Sequence, residues 1–143
     1  MRQLLTQRGR MTVGETKRLI MDDGLFTTGR RITKFEIWPD FPSNTGEVGI
    51  IMSLNDSVTP TNFNANDARQ IAWGYRTADA NGVAGEFQFV LDPDHIIVGD
   101  AFLTAVGTAD IEVNYLIQME FQKISDTECV LQLIKERQQD DLA

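Results

Sequence analysis

Asp92, Asp94, His95 and Asp100 are the residues of this chain whose types and spacing come nearest to a reactive site. Carboxylates beside an imidazole can ligate a transition metal or support metal-assisted hydrolysis. His95 is the only histidine in the chain, so no second nitrogen ligand is available and a zinc site built from this set would be unusual. Asp92-Pro93-Asp94 is also a common turn sequence, because Asp bonds its own backbone and Pro presets the dihedral. A Ser-His-Asp arrangement would need the same imidazole as its base. No G-x-S-x-G surrounds Ser43, Ser53, Ser57 or Ser125. Neither G-x-x-x-x-G-K-[ST] nor G-x-G-x-x-G occurs, so the phosphate-cradling loops are absent. A glycosidase pair of carboxylates stays open, since twenty-one acids offer many pairs. Thr77-Ala78-Asp79-Ala80-Asn81-Gly82 has the look of a calcium loop, but Thr77 and Gln88 stand where that loop needs an acid and a bidentate Glu. An Asn-Gly turn between strands explains it better. The expectation is a protein without catalytic residues, bound metal or cofactor.

Residues suited to contact are easier to find. Trp38, Phe41, Phe63, Trp73 and Tyr75 could form a stacking or partner surface. Trp73 and Tyr75 alternate in phase with Ile71, which favours core packing for those two. Trp38-Pro39-Asp40-Phe41-Pro42, at a strand end, is the better exposed candidate. Charge adds a second set. The net charge is −8, yet residues 1–34 hold eight of the thirteen basic residues against three acids. A basic end on an acidic body could dock on an acidic neighbour, including another copy, or could be a solvated arm. Arg2, Arg8, Arg10, Lys17 and Arg18, with Trp38 and Phe41, are therefore the candidate partner-binding residues. The acidic body argues against general nucleic-acid binding, which needs clustered Lys and Arg.

These side chains must be positioned by a scaffold that reads as mainly β. From Ile111 to Phe121 every odd residue is apolar (Ile111, Val113, Tyr115, Ile117, Met119, Phe121), and among the intervening positions only Leu116 is apolar. That alternation buries one face of a strand and wets the other, and predicts the central strand of an antiparallel sheet. Shorter alternating runs predict strands at 17–21, 31–38, 47–54, 70–76, 86–91 and 101–106. Phe87, Phe89 and Leu91 are expected inward, and Gly99-Asp100 is expected to bulge a single strand running from His95 to Val106. Strands from about 70 to 122 read as a meander, with the earlier strands forming a second sheet. The predicted fold is an antiparallel, jelly-roll-like β-sandwich over 17–139. Residues 1–16 read as an arm or edge segment outside the main core, and 140–143 as a tail. Ser125-Asp126-Thr127-Glu128 fits a capping box, predicting a helix over 126–139. Cys129 falls in its apolar pattern and reads as packing; as the only cysteine it can form no internal disulfide.

A chain of 143 residues is expected to form one core-bearing domain. No apolar run reaches the length of a membrane span, and Met1-Arg2-Gln3 leads into no signal-peptide core. The expectation is a soluble protein made in a reducing cytosol.

Three stretches together carry a resemblance: GRMTVGETKRLIMDDGLFTTG, DPDHIIVGD and NYLIQMEFQKISDTE. They resemble small virion-associated proteins of tailed, marine bacteriophages. The resemblance implies a structural role in the particle, as a capsid decoration (cement) protein or a minor head or tail component. It implies other virion proteins as partners, either the major capsid protein or copies of the chain itself, and localisation in the virion after synthesis in the host cytoplasm. It carries over no catalytic or ligand residue. A carbohydrate-binding β-sandwich, with Trp38, Phe63 or Trp73 as platform, is the alternative read from the aromatic residues.

Overall fold

The long alternating run does form the strand it predicts, β9 (Glu112–Lys123), in a computed structural model of the protein. The structure describes residues 4–19, 28–40, 46–54, 62–65, 67, 69–78, 87–97, 99–123 and 131. Val113, Tyr115, Ile117 and Met119 are at most 2% exposed, whereas Glu112, Asn114, Leu116, Gln118 and Glu120 are only half-buried. Parity alone thus sorts the strand into a core face and an outer face.

Eight further strands surround it: β1 (Leu4–Thr12), β2 (Thr16–Leu19), β3 (Thr28–Pro39), β4 (Gly46–Ser53), β5 (Gln70–Ala78), β6 (Phe87–Leu91), β7 (Ile96–Ile97) and β8 (Ala101–Gly107). They make two antiparallel sheets, a four-stranded one in the order β1-β9-β3-β7 and a five-stranded one in the order β2-β8-β4-β5-β6. β9 lies between β1 and β3, as a central strand should. Met11, Ile32, Phe35, Ile37, Ile97 and, from β9, Val113, Tyr115, Ile117 and Met119 meet Val48, Ile50, Met52, Ala72, Leu103 and Ala105 in one apolar cluster between the sheets. Burying such side chains contributes roughly 1.5–3 kcal/mol each. Among the described residues no helix is long and apolar enough to cross a membrane.

The strand order corrects the expected meander. Only β4–β5 and β5–β6 pair as sequence neighbours; β8 pairs with β2 and β4, and β7 with β3. From β6 to β9 the chain changes sheet three times, at each connection. Gly99-Asp100 is therefore not a bulge: Ile96 and Ile97 pair in one sheet and Ala101 begins a strand of the other. The last of these changes follows Gly107, with φ +131°, and Asp110, with φ 69°, which turn β8 into β9 across the core.

The amino-terminal segment is an edge segment, one of the two readings given for it, but it does not lie outside the core. Leu4–Thr12 is an edge strand hydrogen-bonded to β9 along its length, and Met11 is 1% exposed within the core. Leu5, Gln7, Gly9 and Met11 face inward opposite Met119, Ile117, Tyr115 and Val113, a periodicity hidden by the glycine and glutamine. The ends of the chain, including the predicted helix over 126–139, Cys129 and the tail, fall outside the described residues apart from Leu131. So do Arg2, Phe41 and the Asn81-Gly82 turn.

Candidate functional site

The outer face of the four-stranded sheet gathers residues that are far apart in sequence. Register sets Arg8 opposite Leu116, which lies opposite Glu36, and sets Arg10 opposite Asn114, which lies opposite Trp38. Facing residues on adjacent strands share one side of the sheet, so Arg10 and Trp38 stand two strands, or about 10 Å, apart across Asn114. Arg8 and Arg10 are exposed, and Trp38 is 38% exposed. Arg10 is not a bare charge. Its guanidinium lies 3.4 Å from Asp40 and 3.4 Å from Glu112, and Asn114 Nδ2 donates to Asp40 at 3.4 Å. Asp40 is anchored in turn, its N–H donating to the Glu112 carbonyl at 2.9 Å. These are exposed pairs, worth little in stability, but they tie Arg10 to Asp40 at the end of the strand that carries Trp38.

Lys17 and Arg18 do not join this face. They sit on β2, the edge of the other sheet. Lys17 lies opposite Leu103 and carries its ammonium 5.5 Å over the Tyr115 ring, while Arg18 donates to Asp100 from Nε at 2.8 Å and from Nη2. The four described candidate cations are thus split between two surfaces, and three of them, Arg10, Lys17 and Arg18, have an acid or a ring of this chain against them.

Asp92, Asp94, His95 and Asp100 do not come together as one ligand group. Among the described residues no group of three or more His, Cys, Asp or Glu is placed to hold a metal ion. Asp100 pairs with Arg18, Asp92 Oδ1 accepts the Asp94 N–H at 3.1 Å to close the turn, and His95 is buried at 8% exposure.

Trp73 and Tyr75 are a second correction. Register shifts between Met52 and Ser53, which pair with Ala72 and Gln70 and leave Ile71 as an extra residue. Ile71 and Ala72 both enter the core, so the parity of Ile71 does not extend to the aromatics. Trp73 faces Ile51 and Tyr75 faces Gly49, on the side of the five-stranded sheet away from the other sheet. There a loop bearing Phe63 lies over them. Gln70 is its clamp, buried at 6% exposure. Its Oε1 accepts from Asn64 N–H at 2.9 Å and from Trp73 Nε1–H at 2.6 Å, and its Nε2 donates to the Asn62 carbonyl at 3.0 Å. Beside it Arg69 grips Asp67 with two bonds, 2.9 and 2.8 Å, which hold the Asp67 carboxyl below its ordinary pKa despite partial burial.

The loop so held sets Phe63 over Gly49, where a Cβ would collide with Cζ of its ring and lie 3.2 Å from Cε1. Phe63 and Tyr75 are tilted at 52° with centroids 6.3 Å apart. Together with Val106, Gly107, Glu47 and Thr77 they line a hollow of about 250 Å³. Sequence reasoning named Phe63 without placing it and missed Gln70 altogether; the one available signal was a glutamine three residues before a tryptophan at the start of a strand.

Phe87 is a third correction. Its side chain is on the inward side of β6 but runs past the end of the core, 62% exposed, stacked 5.6 Å from Phe89 with Arg76 5.9 Å above it.

The fold and these surfaces define a mainly β protein of two antiparallel sheets. The chain matches no protein-family model and no curated protein sequence.

Proposed function

We propose that this chain is a non-enzymatic structural protein of a phage virion, a capsid decoration protein that binds a repeated particle surface. The observation that carries the reading is the convergence of Arg8, Arg10 and Trp38 on one exposed sheet face, from strands that meet only through β9. Arginine and tryptophan are the residues that most often dominate the energy of a protein interface. A sheet face held by a shared core binds without reorganising, which suits attachment at many equivalent positions of a lattice. The partners are the major capsid protein or copies of this chain, in an oligomeric or lattice-bound state, with neither nucleic acid nor membrane. In this reading the two sheets form a jelly-roll-like sandwich, closed by a carboxy-terminal helix over 126–139.

The test is occupancy. Particles purified from a phage carrying this gene are digested and the copies of the chain counted by mass spectrometry. A shell protein is expected on the order of hundreds of copies, whereas a minor head or tail component is present in far fewer. A chain carrying Arg8→Ala, Arg10→Ala and Trp38→Ala together should fold and be lost from the particle. Wild-type occupancy by that variant removes this face from the interface, and absence of the wild-type chain from particles removes the reading.

A carbohydrate-binding role is favoured by one feature, the exposed Trp38 indole with Asn114, Asp40 and Arg10 beside it as polar partners. Trp73 fits a sugar platform less well, since its indole N–H is engaged by Gln70. Glycan-array binding lost on Trp38→Ala, without particle binding, selects this second role.

A further inference from the structure

The hollow beside Phe63 lies on the opposite side of the molecule from the face just described, and its lining points to a ligand of its own. Across the sheet, Val106, Gly49 and Tyr75 form one row, and Glu47 and Thr77 the next, all on the outer side of the five-stranded sheet. Gly49 lets the Phe63 ring come down onto the sheet beside the hollow, because a Cβ there would collide with it. Phe63 and Tyr75 form the walls and Val106 part of the floor. Glu47 carries the only formal charge among the eight lining residues. Its backbone is fixed on both sides by Thr108, which donates its N–H to the Glu47 carbonyl at 2.8 Å and accepts the Glu47 N–H on Oγ1 at 3.0 Å. The loop carrying Phe63 is fixed as well, by Gln70 and by the Asp67–Arg69 pair. The walls are therefore set before anything binds.

We propose that this hollow binds a small organic cation, an aromatic or alkyl body seated against Phe63 and Tyr75 with its ammonium directed to Glu47. Aromatic faces attract cations through the ring quadrupole, and an apolar lining accepts the body of the molecule. Among the described lining residues an anion would meet a carboxylate and no basic group. A saccharide would find few polar partners, since these are confined to Glu47, Thr77 and the Tyr75 hydroxyl. The hollow is a single recess of about 250 Å³ bounded by one corner of a sheet and one loop, so it receives a compact body and not a length of chain. The proposal stands independently of the particle reading.

The probe is 2-phenylethylamine, with 2-phenylethanol as its neutral counterpart, titrated at pH 7 into the isotopically labelled full chain. The readout is the amide signals of Gly49 and Gly107. The amine should bind with Kd on the order of 1 mM, as a ligand of few atoms does. The alcohol should bind about threefold to fivefold more weakly, the value of one exposed charge pair. Glu47→Gln should bring the amine to the affinity of the alcohol. Phe63→Ala, a change at a side chain 45% exposed, should weaken both by about tenfold while leaving the fold intact. No signal change at saturating amine, equal affinity for amine and alcohol, or unchanged amine affinity in either variant overturns the assignment.

Discussion

Replacing Gly107 by alanine tests the point at which the chain leaves one sheet for the other. Gly107 ends β8 opposite Val48 with φ +131°, a conformation that side-chain-bearing residues rarely adopt. Holding such a residue there costs about 1–3 kcal/mol, offset by about 0.4–1 kcal/mol from the lower entropy of the unfolded alanine chain. Space adds a second cost. A Cβ at Gly107 would overlap the Glu47 carbonyl oxygen and lie 2.9 Å from its carbon and 3.0 Å from Val48 Cα, all backbone atoms. That backbone can retreat only by loosening the two bonds between Glu47 and Thr108, each contributing about 0.5–1.5 kcal/mol. The sum is a destabilisation of about 3–4 kcal/mol. Gly14 is the internal control: its φ is +96°, but nothing lies within 4 Å of its Cβ position, so Gly14→Ala carries the strain without the collision. It should cost about 1 kcal/mol. Urea denaturation of both variants, followed by circular dichroism with slopes compared to the parent, measures the difference directly. In thermal scans Gly107→Ala should melt roughly 4–12 °C below Gly14→Ala, at about 2–4 °C per kcal/mol for a domain of this size. Equal stability of the two would refute the close approach of Gly107 to Glu47, and with it the crossing as described.

Three other outcomes are open to measurement. Ile117→Ala, at a site 0% exposed, should cost about 2–5 kcal/mol, whereas Leu116→Ala next to it on the outer face should cost under about 1 kcal/mol; equal losses in urea melts would mean the parity of β9 is wrong. Deleting residues 1–12 removes the whole ladder along β9 and the core side chain Met11, so the truncated chain should lose its cooperative thermal transition, while an unchanged melting temperature would return the segment to the status of an arm. Asp67→Asn should destabilise by about 1–2 kcal/mol at pH 7, because the paired carboxylate is lost. Since the folded pKa of Asp67 lies below the unfolded one, its contribution is present above about pH 4 and lost as pH falls through the folded value. The stability gap between parent and variant should therefore narrow in acid, and a gap constant down to pH 2 would exclude the Arg69 pair as its cause.

What could be read without coordinates follows from how far each signal reaches along the chain. β9 was legible because strict alternation is a local property, and Pro39 marked the end of β3 because proline lacks the donor a ladder needs. Strand order was not legible, since the usual pairing of consecutive strands was the only guide and this chain switches sheet at 99–100 and again after Gly107. β1 escaped notice because Gln7 and Gly9 occupy inward positions that an apolar count ignores. The aromatics of β5 were assigned to the wrong side for a reason of one residue: the bulge at Ile71 reverses parity, and a bulge leaves no mark in an alternating run. Of the contact residues, Arg8, Arg10 and Trp38 were chosen separately, as charge and as exposed aromatic. Their meeting depends on two antiparallel registers with β9, which no stretch of sequence contains.

The two surfaces should be thermodynamically independent, and this separates a pair of sites from a single diffuse one. The Arg8, Arg10 and Trp38 face and the Phe63 hollow lie on the outer sides of different sheets, with the apolar cluster between them. Packed sheets are about 10 Å apart, and substitutions separated by more than about 7–10 Å without shared partners add without coupling. Trp38→Ala should then leave the affinity for phenylethylamine unchanged, and Phe63→Ala should leave particle occupancy unchanged. Neither side chain contributes to the core cluster, so neither change has a packed route to the other surface. A double variant whose loss in either assay departs from the single variants by more than about twofold, beyond the ordinary tolerance for additivity, would mean that the core transmits between the faces. The small cation would in that case act as an effector of attachment, by the same factor in both directions.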